Sequence, residues 1–161
     1  MYKHIGILVG VLLLVSCNSK SIYNQYETIE NNQWSSTDAI KFIINNQDTI
    51  SKKNVFINIR NTKDYAFSSL FLIAKIEFPS GFQIVDTLEY EMADAKGKWL
   101  GTGFTDIKEN KLFYKENIVF FEKGEYTIEV QHATRSIHDI EGINPLAGIY
   151  NVGLSIEKVI K

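Results

Sequence analysis

From residue 38 onward, apolar side chains recur at every second position in short segments separated by turn-forming residues. Leu72, Ala74, Ile76 and Phe78 would line one face of a strand, and a Pro79-Ser80-Gly81 turn follows them. A period of two places alternate side chains on opposite faces of a sheet. Strands are predicted at 38–44, 55–60, 70–78, 82–90, 117–121, 126–132 and 150–157. Short strands without amphipathic helices between them predict an all-β fold, a single antiparallel β-sandwich of immunoglobulin-like or jelly-roll-like type.

The composition supports sheet over helix, with ten Phe, eight Tyr and only two Pro in 161 residues. Lys123-Gly124 predicts a tight hairpin between strands 117–121 and 126–132. In the last strand, alternation predicts one face that points inward and one that points outward. The inward set is Tyr150, Val152, Leu154 and Ile156, and the outward set is Asn151, Gly153, Ser155 and Glu157.

The N-terminus has the pattern of a secretory signal. Lys3 and His4 precede an apolar run from Ile5 to Val15, which is too short at about eleven residues to span a bilayer as a helix. The run ends in Leu14-Val15-Ser16-Cys17, which resembles a bacterial lipobox. We therefore predict a signal peptide over residues 1–16, with Cys17 as the acylated N-terminus of the mature protein.

The predicted cleavage site divides the rest of the chain into a tether and a domain. Residues 17–32 are polar and are predicted as the acylated cysteine and a tether, which leaves 33–161 for the sandwich. Cys17 is the only cysteine, so the domain has no disulfide and no thiol nucleophile. Lys3 is the only charged residue of the signal, so the net charge of −2 becomes −3 on cleavage. No basic run stands out, which argues against nucleic acid as a partner.

The segment 92–106 is the most unusual internal stretch, with Gly97, Gly101 and Gly103 around Trp99. An aromatic side chain on a glycine-rich loop is suited to binding a sugar, a peptide or a partner protein. The favoured interpretation is structural: the loop folds back and packs Trp99 against the sandwich edge, with glycines supplying positive φ or close approach. A phosphate-binding loop is disfavoured, since Gly101-Thr102-Gly103 lacks the P-loop lysine and the following helix.

Residues 60–65 connect two predicted strands and supply two further candidates for partner binding, Arg60 and Tyr65. Asn61 and Asp64 suit a turn, and Arg60 is placed to pair with Asp64 or to hold a nearby carbonyl group. A structural role for this segment is favoured over a ligand site.

No catalytic or metal-binding pattern emerges. His132 and His138 match no zinc-ligand spacing, and His132 ends an apolar alternation, where a packing histidine is the common case. The sequence contains no Gly-x-Ser-x-Gly elbow. Glu89 and Glu91 fall on one face of a predicted strand, so a solvated face explains them better than an acid–base pair. We predict no enzymatic activity, no cofactor, no metal and no small-molecule substrate.

Taken together, these motifs resemble the GldH gliding-motility lipoproteins of the Bacteroidetes. The most specific stretch is Gly97-Lys98-Trp99-Leu100-Gly101-x-Gly103. The other matching pieces are the lipobox at Cys17, Trp34, the strand at 38–42, Ile59-Arg60-Asn61, Asp64-Tyr65, Gly124-x-Tyr126, Gly148-Ile149 and Val152-Gly153-Leu154. They cover nearly the whole mature chain.

The resemblance implies a lipid-anchored protein of the cell membrane or outer membrane that faces the periplasm. It implies a requirement in gliding motility and in the associated type IX protein secretion, through assembly or stabilisation of other lipoproteins or membrane proteins. One alternative remains open at this point. A carbohydrate- or peptide-binding lipoprotein of a nutrient-capture system would use Trp34, Trp99 and surface tyrosines as stacking platforms.

Overall fold

Antiparallel β-strands make up most of the computed structural model, which describes residues 20–103, 105–135 and 142–159. The predicted signal peptide, Cys17 and His138 lie outside these residues. The strands are β1 Ser21–Thr28, β2 Gln33–Trp34, β3 Ile40–Asn46, β4 Lys53–Asn61, β5 Ser69–Glu77, β6 Gln83–Glu91, β7 Lys108–Ile118, β8 Gly124–His132, β9 Leu146–Ala147 and β10 Ile149–Lys158.

Two four-stranded sheets form the two layers of the fold. One has the strand order β1-β10-β4-β7 and the other has the order β3-β8-β5-β6, and a small β2-β9 pair lies beside them. Every pairing is antiparallel. The predicted β-sandwich is therefore confirmed.

The core lies between the inner faces of the two sheets. Alternate residues of β4 and β5 supply much of it, and their side chains are at most 3% exposed. Full burial of such an aliphatic side chain stabilises the fold by about 1.5–3 kcal/mol. These residues are Val55, Ile57, Ile59, Leu70, Leu72, Ala74 and Ile76. The face predicted to be shared by Leu72, Ala74, Ile76 and Phe78 is confirmed, and it points inward.

The central strand β10 is buried on both faces, which simple alternation does not anticipate. Asn58 Nδ2 donates to Ser155 Oγ at 3.0 Å on the outer face. The ring of Tyr26 covers Gly153, where a β-carbon would lie 2.6 Å from the Tyr26 ring. The prediction that Tyr150 points inward is wrong: it is 37% exposed. A register shift between Ile149 and Asn151 places Ile149 inside and turns Tyr150 outward.

The N-terminal boundary also needs correction. Residues 21–28, predicted as part of the tether, form β1 and pair with β10 from Ser21↔Glu157 to Thr28↔Asn151. A short 3-10 turn, Glu30–Asn32, then leads into β2. The polar sequence of β1 reflects its position as an edge strand, since most of its side chains are exposed.

The strand predicted at 117–121 is wrong, because β7 spans Lys108–Ile118 and residues 119–123 form a connection. The hairpin predicted at Lys123-Gly124 is wrong as well. This connection crosses from one sheet to the other, since β7 pairs with β4 whereas β8 pairs with β3 and β5.

The strands run between two ends of the sandwich, a proximal end and a distal end. The proximal end contains residues 20–21, 47–52, 78–82, 119–123 and 158–159. The distal end contains residues 29–39, 62–68, 92–103 and 142–148. The nine residues of β4 connect the two ends, a distance of roughly 26 Å at about 3.3 Å per residue.

Candidate functional site

The loop 92–100 at the distal end is a compact turn held by backbone hydrogen bonds. Leu100 N donates to Met92 O at 3.0 Å, and Asp94 N donates to Lys98 O at 2.8 Å. The carboxylate of Asp94 closes the turn by accepting from the backbone N–H groups of Lys96 and Lys98. Gly97 has φ of +78°, so the positive φ predicted for a glycine of this loop is confirmed.

This loop packs Trp99 against the body of the sandwich. Trp99 is partly buried, and its ring centroid lies 5.9 Å from that of Tyr65. Tyr65 is only 1% exposed, and its hydroxyl donates to Ser69 O at 2.8 Å. Burial raises the pKa of Tyr65 well above its usual value. The packing of Trp99 onto the sandwich edge is therefore confirmed.

Gly148 holds the distal loops together. Its φ is +84°, and a β-carbon here would lie 2.1 Å from Tyr65 N. Gly148 O accepts from Thr62 N at 2.8 Å, and Gly148 N donates to Asn32 O at 2.9 Å. Three segments of the distal end thus meet at one glycine, which local pattern reasoning did not single out because its partners are remote in sequence.

Gly101 lies where the loop passes over β7. A β-carbon at Gly101 would lie 2.8 Å from Asn110 Oδ1, so this glycine permits the close approach predicted for it. Beside it is a cleft of about 450 Å³. Leu100 stands at this cleft with 53% of its surface exposed. The lining residues are Glu91, Leu100, Gly101, Thr102, Glu109, Asn110, Lys111 and Leu112.

Arg60 lies apart from Trp99 and Tyr65, on the outer face of the β1-β10-β4-β7 sheet. Its Nε donates to Glu109 Oε2 at 3.1 Å, and its guanidinium carbon lies 4.1 Å from the centroid of the Tyr26 ring. Tyr26 also donates its hydroxyl to Glu109 Oε1 at 2.7 Å. The predicted pairing of Arg60 with Asp64 is wrong. Glu109 also lines the cleft, so it connects Arg60 to the neighbourhood of Gly101.

His132 belongs to the core and not to a site. It is 2% exposed, and its ring lies 5.3 Å from Trp34 in an edge-on arrangement. Its packing role is therefore confirmed, and burial lowers its pKa. Among the described residues, no group of three His, Cys, Asp or Glu side chains is arranged to hold a metal ion.

Comparison with known protein families shows which family this chain belongs to. The family model described as GldH lipoprotein matches residues 21–156, from the first residue of β1 almost to the end of β10. The chain belongs to the GldH lipoprotein family. The resemblance stated from the sequence motifs is thereby confirmed.

Two GldH relatives align over nearly their whole length. A gliding motility lipoprotein GldH homolog of Christiangramia forsetii is 47% identical over 148 residues, covering 92% of this chain and 90% of the relative. The gliding motility lipoprotein GldH of Flavobacterium johnsoniae is 43% identical over 157 residues, covering 97% of both. Within the described residues, no helix is both long and apolar enough to cross a membrane.

Among solved structures, the resemblance of this GldH chain is weak. The VP2 subviral particle of infectious bursal disease virus gives a TM-score of 0.37 at 14% identity, covering 86% of this chain and 33% of the viral chain. A second structure, of the Gx strain of that virus, gives a TM-score of 0.34 at 12% identity, with the same coverage.

Proposed function

We propose that this chain is a lipid-anchored, non-enzymatic component required for gliding motility and the associated type IX protein secretion. The observation that carries the proposal is the full-length similarity to two proteins named as gliding motility lipoproteins. Acylation at Cys17 attaches the chain to the cell membrane or outer membrane, and the domain faces the periplasm. There it assembles or stabilises other lipoproteins or membrane proteins of the machinery.

The distal end is the surface that we assign to partner binding. Its central loop is fixed before any partner arrives, because Asp94 closes the turn and Trp99 packs on Tyr65. A fixed loop loses little conformational entropy on association. Leu100 offers an exposed aliphatic group beside a cleft, which a partner could cover.

The structure gives no support to the alternative of a sugar-binding module. Trp34 is 1% exposed and donates its indole N–H to Asp38 O at 2.8 Å. Trp99 places its ring against Tyr65. Neither indole is a freely exposed platform on which a sugar ring would stack.

Deletion of the gene in its host tests the proposal. We expect loss of colony spreading and loss of secretion of type IX cargo, both restored by the wild-type gene. Normal spreading and secretion in a clean deletion would overturn the proposed function.

Complementation then separates the anchor from the partner surface. Cys17→Ser should fail to restore function even though the domain folds. Leu100→Glu should fail as well, whereas Val85→Glu is a matched control, because Val85 is similarly exposed at 61% but lies on β6 away from the distal loops. Equal complementation by both glutamate variants would exclude Leu100 from the partner surface.

A further inference from the structure

The position of the first described residue limits where the domain lies relative to a lipid on Cys17. Lys20 is at the proximal end, where Lys158 N donates to Lys20 O at 2.9 Å. Lys20 is three residue steps from Cys17, and three steps span about 11 Å at most when fully extended. The proximal end therefore stays within reach of the lipid surface.

Three exposed large apolar side chains lie at this same end. Ile50 is 85% exposed at the tip of the β3–β4 connection, and Phe82 and Phe121 are 60% and 62% exposed. Both phenylalanine rings pack against Phe78, with centroid distances of 5.5 and 5.3 Å. Phe78 itself is buried and touches Tyr126 of the core. Contact with the buried Phe78 ring thus fixes both exposed rings at the surface.

Four exposed lysines lie at the same end as this apolar group. Lys20, Lys52, Lys123 and Lys158 are exposed. Three carboxylates lie among these lysines: Asp48 accepts from two backbone N–H groups of its own turn, Glu122 accepts from Ser80 N and Oγ at 2.9 Å, and Glu125 is exposed. Lysines around exposed phenylalanines match a phospholipid interface, where ammonium groups meet phosphates and aromatic rings enter the acyl boundary.

We infer that the proximal end is a membrane-docking surface, with Phe82, Phe121 and Ile50 inserted at the headgroup–acyl boundary and the four lysines facing lipid phosphates. The domain then stands upright, and the Trp99 loop lies roughly 26 Å or more from the bilayer, a distance set by about 3.3 Å per strand residue. This inference rests on the acylation of Cys17 in the proposed function. It adds an orientation that acylation of Cys17 alone does not dictate.

Tryptophan quenching by brominated lipid tests the orientation. The acylated full-length protein is reconstituted into phosphatidylethanolamine–phosphatidylglycerol vesicles that contain phosphatidylcholine brominated on acyl carbons near the headgroup. Phe82→Trp places a reporter at the proximal end. Leu100→Trp is the matched control at the distal end, where the parent residue is 53% exposed. The native Trp34 and Trp99 give the same distal background in both variants.

We expect the quenching added by Phe82→Trp to be roughly threefold or more that added by Leu100→Trp, because only the former reporter reaches the acyl boundary. Equal quenching of the two, or stronger quenching of Leu100→Trp, would overturn the upright orientation.

Flotation of the same vesicles separates this inference from the proposal that it rests on. Protein that floats without added quenching at Phe82→Trp contradicts docking and leaves the anchor intact. Protein that fails to float contradicts the acyl anchor, and with it the docking surface. A circular-dichroism melt of Phe82→Trp that matches wild type shows that the variant is folded.

Discussion

Gly148 lies directly against the backbone of Tyr65, so closely that a β-carbon on Gly148 would be 2.1 Å from Tyr65 N. The contact joins the segment before β10 to the loop that supports Trp99. We expect Gly148→Ala to destabilise the protein by about 3 kcal/mol or more. The backbone at Tyr65 must move away from the new β-carbon, and the alanine must also adopt a strained positive φ.

Gly81→Ala is the matched control for this substitution. Gly81 has the same φ of +84° but no atom within 4 Å of its β-carbon position. Only the cost of positive φ applies there, about 1 kcal/mol. Urea denaturation measures both variants. A similar loss of unfolding free energy in the two would show that the contact with Tyr65 contributes nothing.

The Trp99–Tyr65 pair should show measurable coupling. In a double-mutant cycle of Trp99→Leu and Tyr65→Leu, we expect an interaction energy of about 1 kcal/mol from the aromatic contact. The ring centroids are 5.9 Å apart, within the range of such contacts. Trp99→Leu combined with Phe113→Leu on β7 should be additive, since Phe113 packs on Phe56 instead. Urea unfolding of the variants checks both cycles, and additivity in the first would contradict the coupling.

Because His132 is buried, we expect the protein to lose stability at mildly acidic pH. Burial lowers its pKa below the ordinary value of 6.5, so the unfolded chain binds a proton that the folded chain does not. The free energy of unfolding should therefore fall as pH drops below about 6.5, until the folded-state pKa is reached. His132→Phe should flatten this dependence between about pH 5 and 7. Thermal melts across that range measure it, and an unchanged slope in the variant contradicts the assignment.

Strands with an apolar face could be predicted from the sequence, including the edge strands β3 and β6, whereas β1 and most of β7 could not. β5 alternates cleanly because its Leu72, Ala74 and Ile76 enter the core, and its turn at 79–81 has a strong local signal. β1 and β7 are edge strands on which many exposed side chains are polar. Apolar and polar residues therefore do not alternate clearly along them. Their pairing partners are far away in sequence, and only the folded sheet reveals them.

The candidate site was predictable in part for the same reason. The packing of Trp99 and the positive φ of Gly97 follow from a glycine-rich turn, which is local information. The partner of Arg60 is Glu109, 49 positions away, and the contact of Gly148 with Tyr65 joins residues that are even farther apart in sequence. Such contacts depend on strand order, which alternation alone does not specify.

Because of the Tyr26–Glu109–Arg60 group, we expect the protein to lose stability at alkaline pH. Burial, together with Glu109, raises the pKa of Tyr26 to about 12 from its ordinary value of 10.0. The unfolded chain therefore releases the phenolic proton first, so the stabilisation is complete below pH 10 and is lost as pH rises toward about 12. Tyr26→Phe should cost about 1 kcal/mol at neutral pH through the lost hydrogen bond.

The same variant should also lessen the alkaline slope without abolishing it, because burial raises the pKa of Tyr90 to about 12 as well. Urea unfolding at steps between pH 9 and 12, with tyrosinate absorbance recorded in parallel, measures both effects. Tyr90→Phe should remove a further share of the slope, since Tyr90 bonds to Phe113 O and not to Glu109. The remainder comes from other tyrosines whose pKa is raised by burial, such as Tyr65 and Tyr114. A Tyr26→Phe variant with the full wild-type slope would mean that Glu109 does not hold the Tyr26 proton. Arg60 would then be fixed by its carboxylate partner alone.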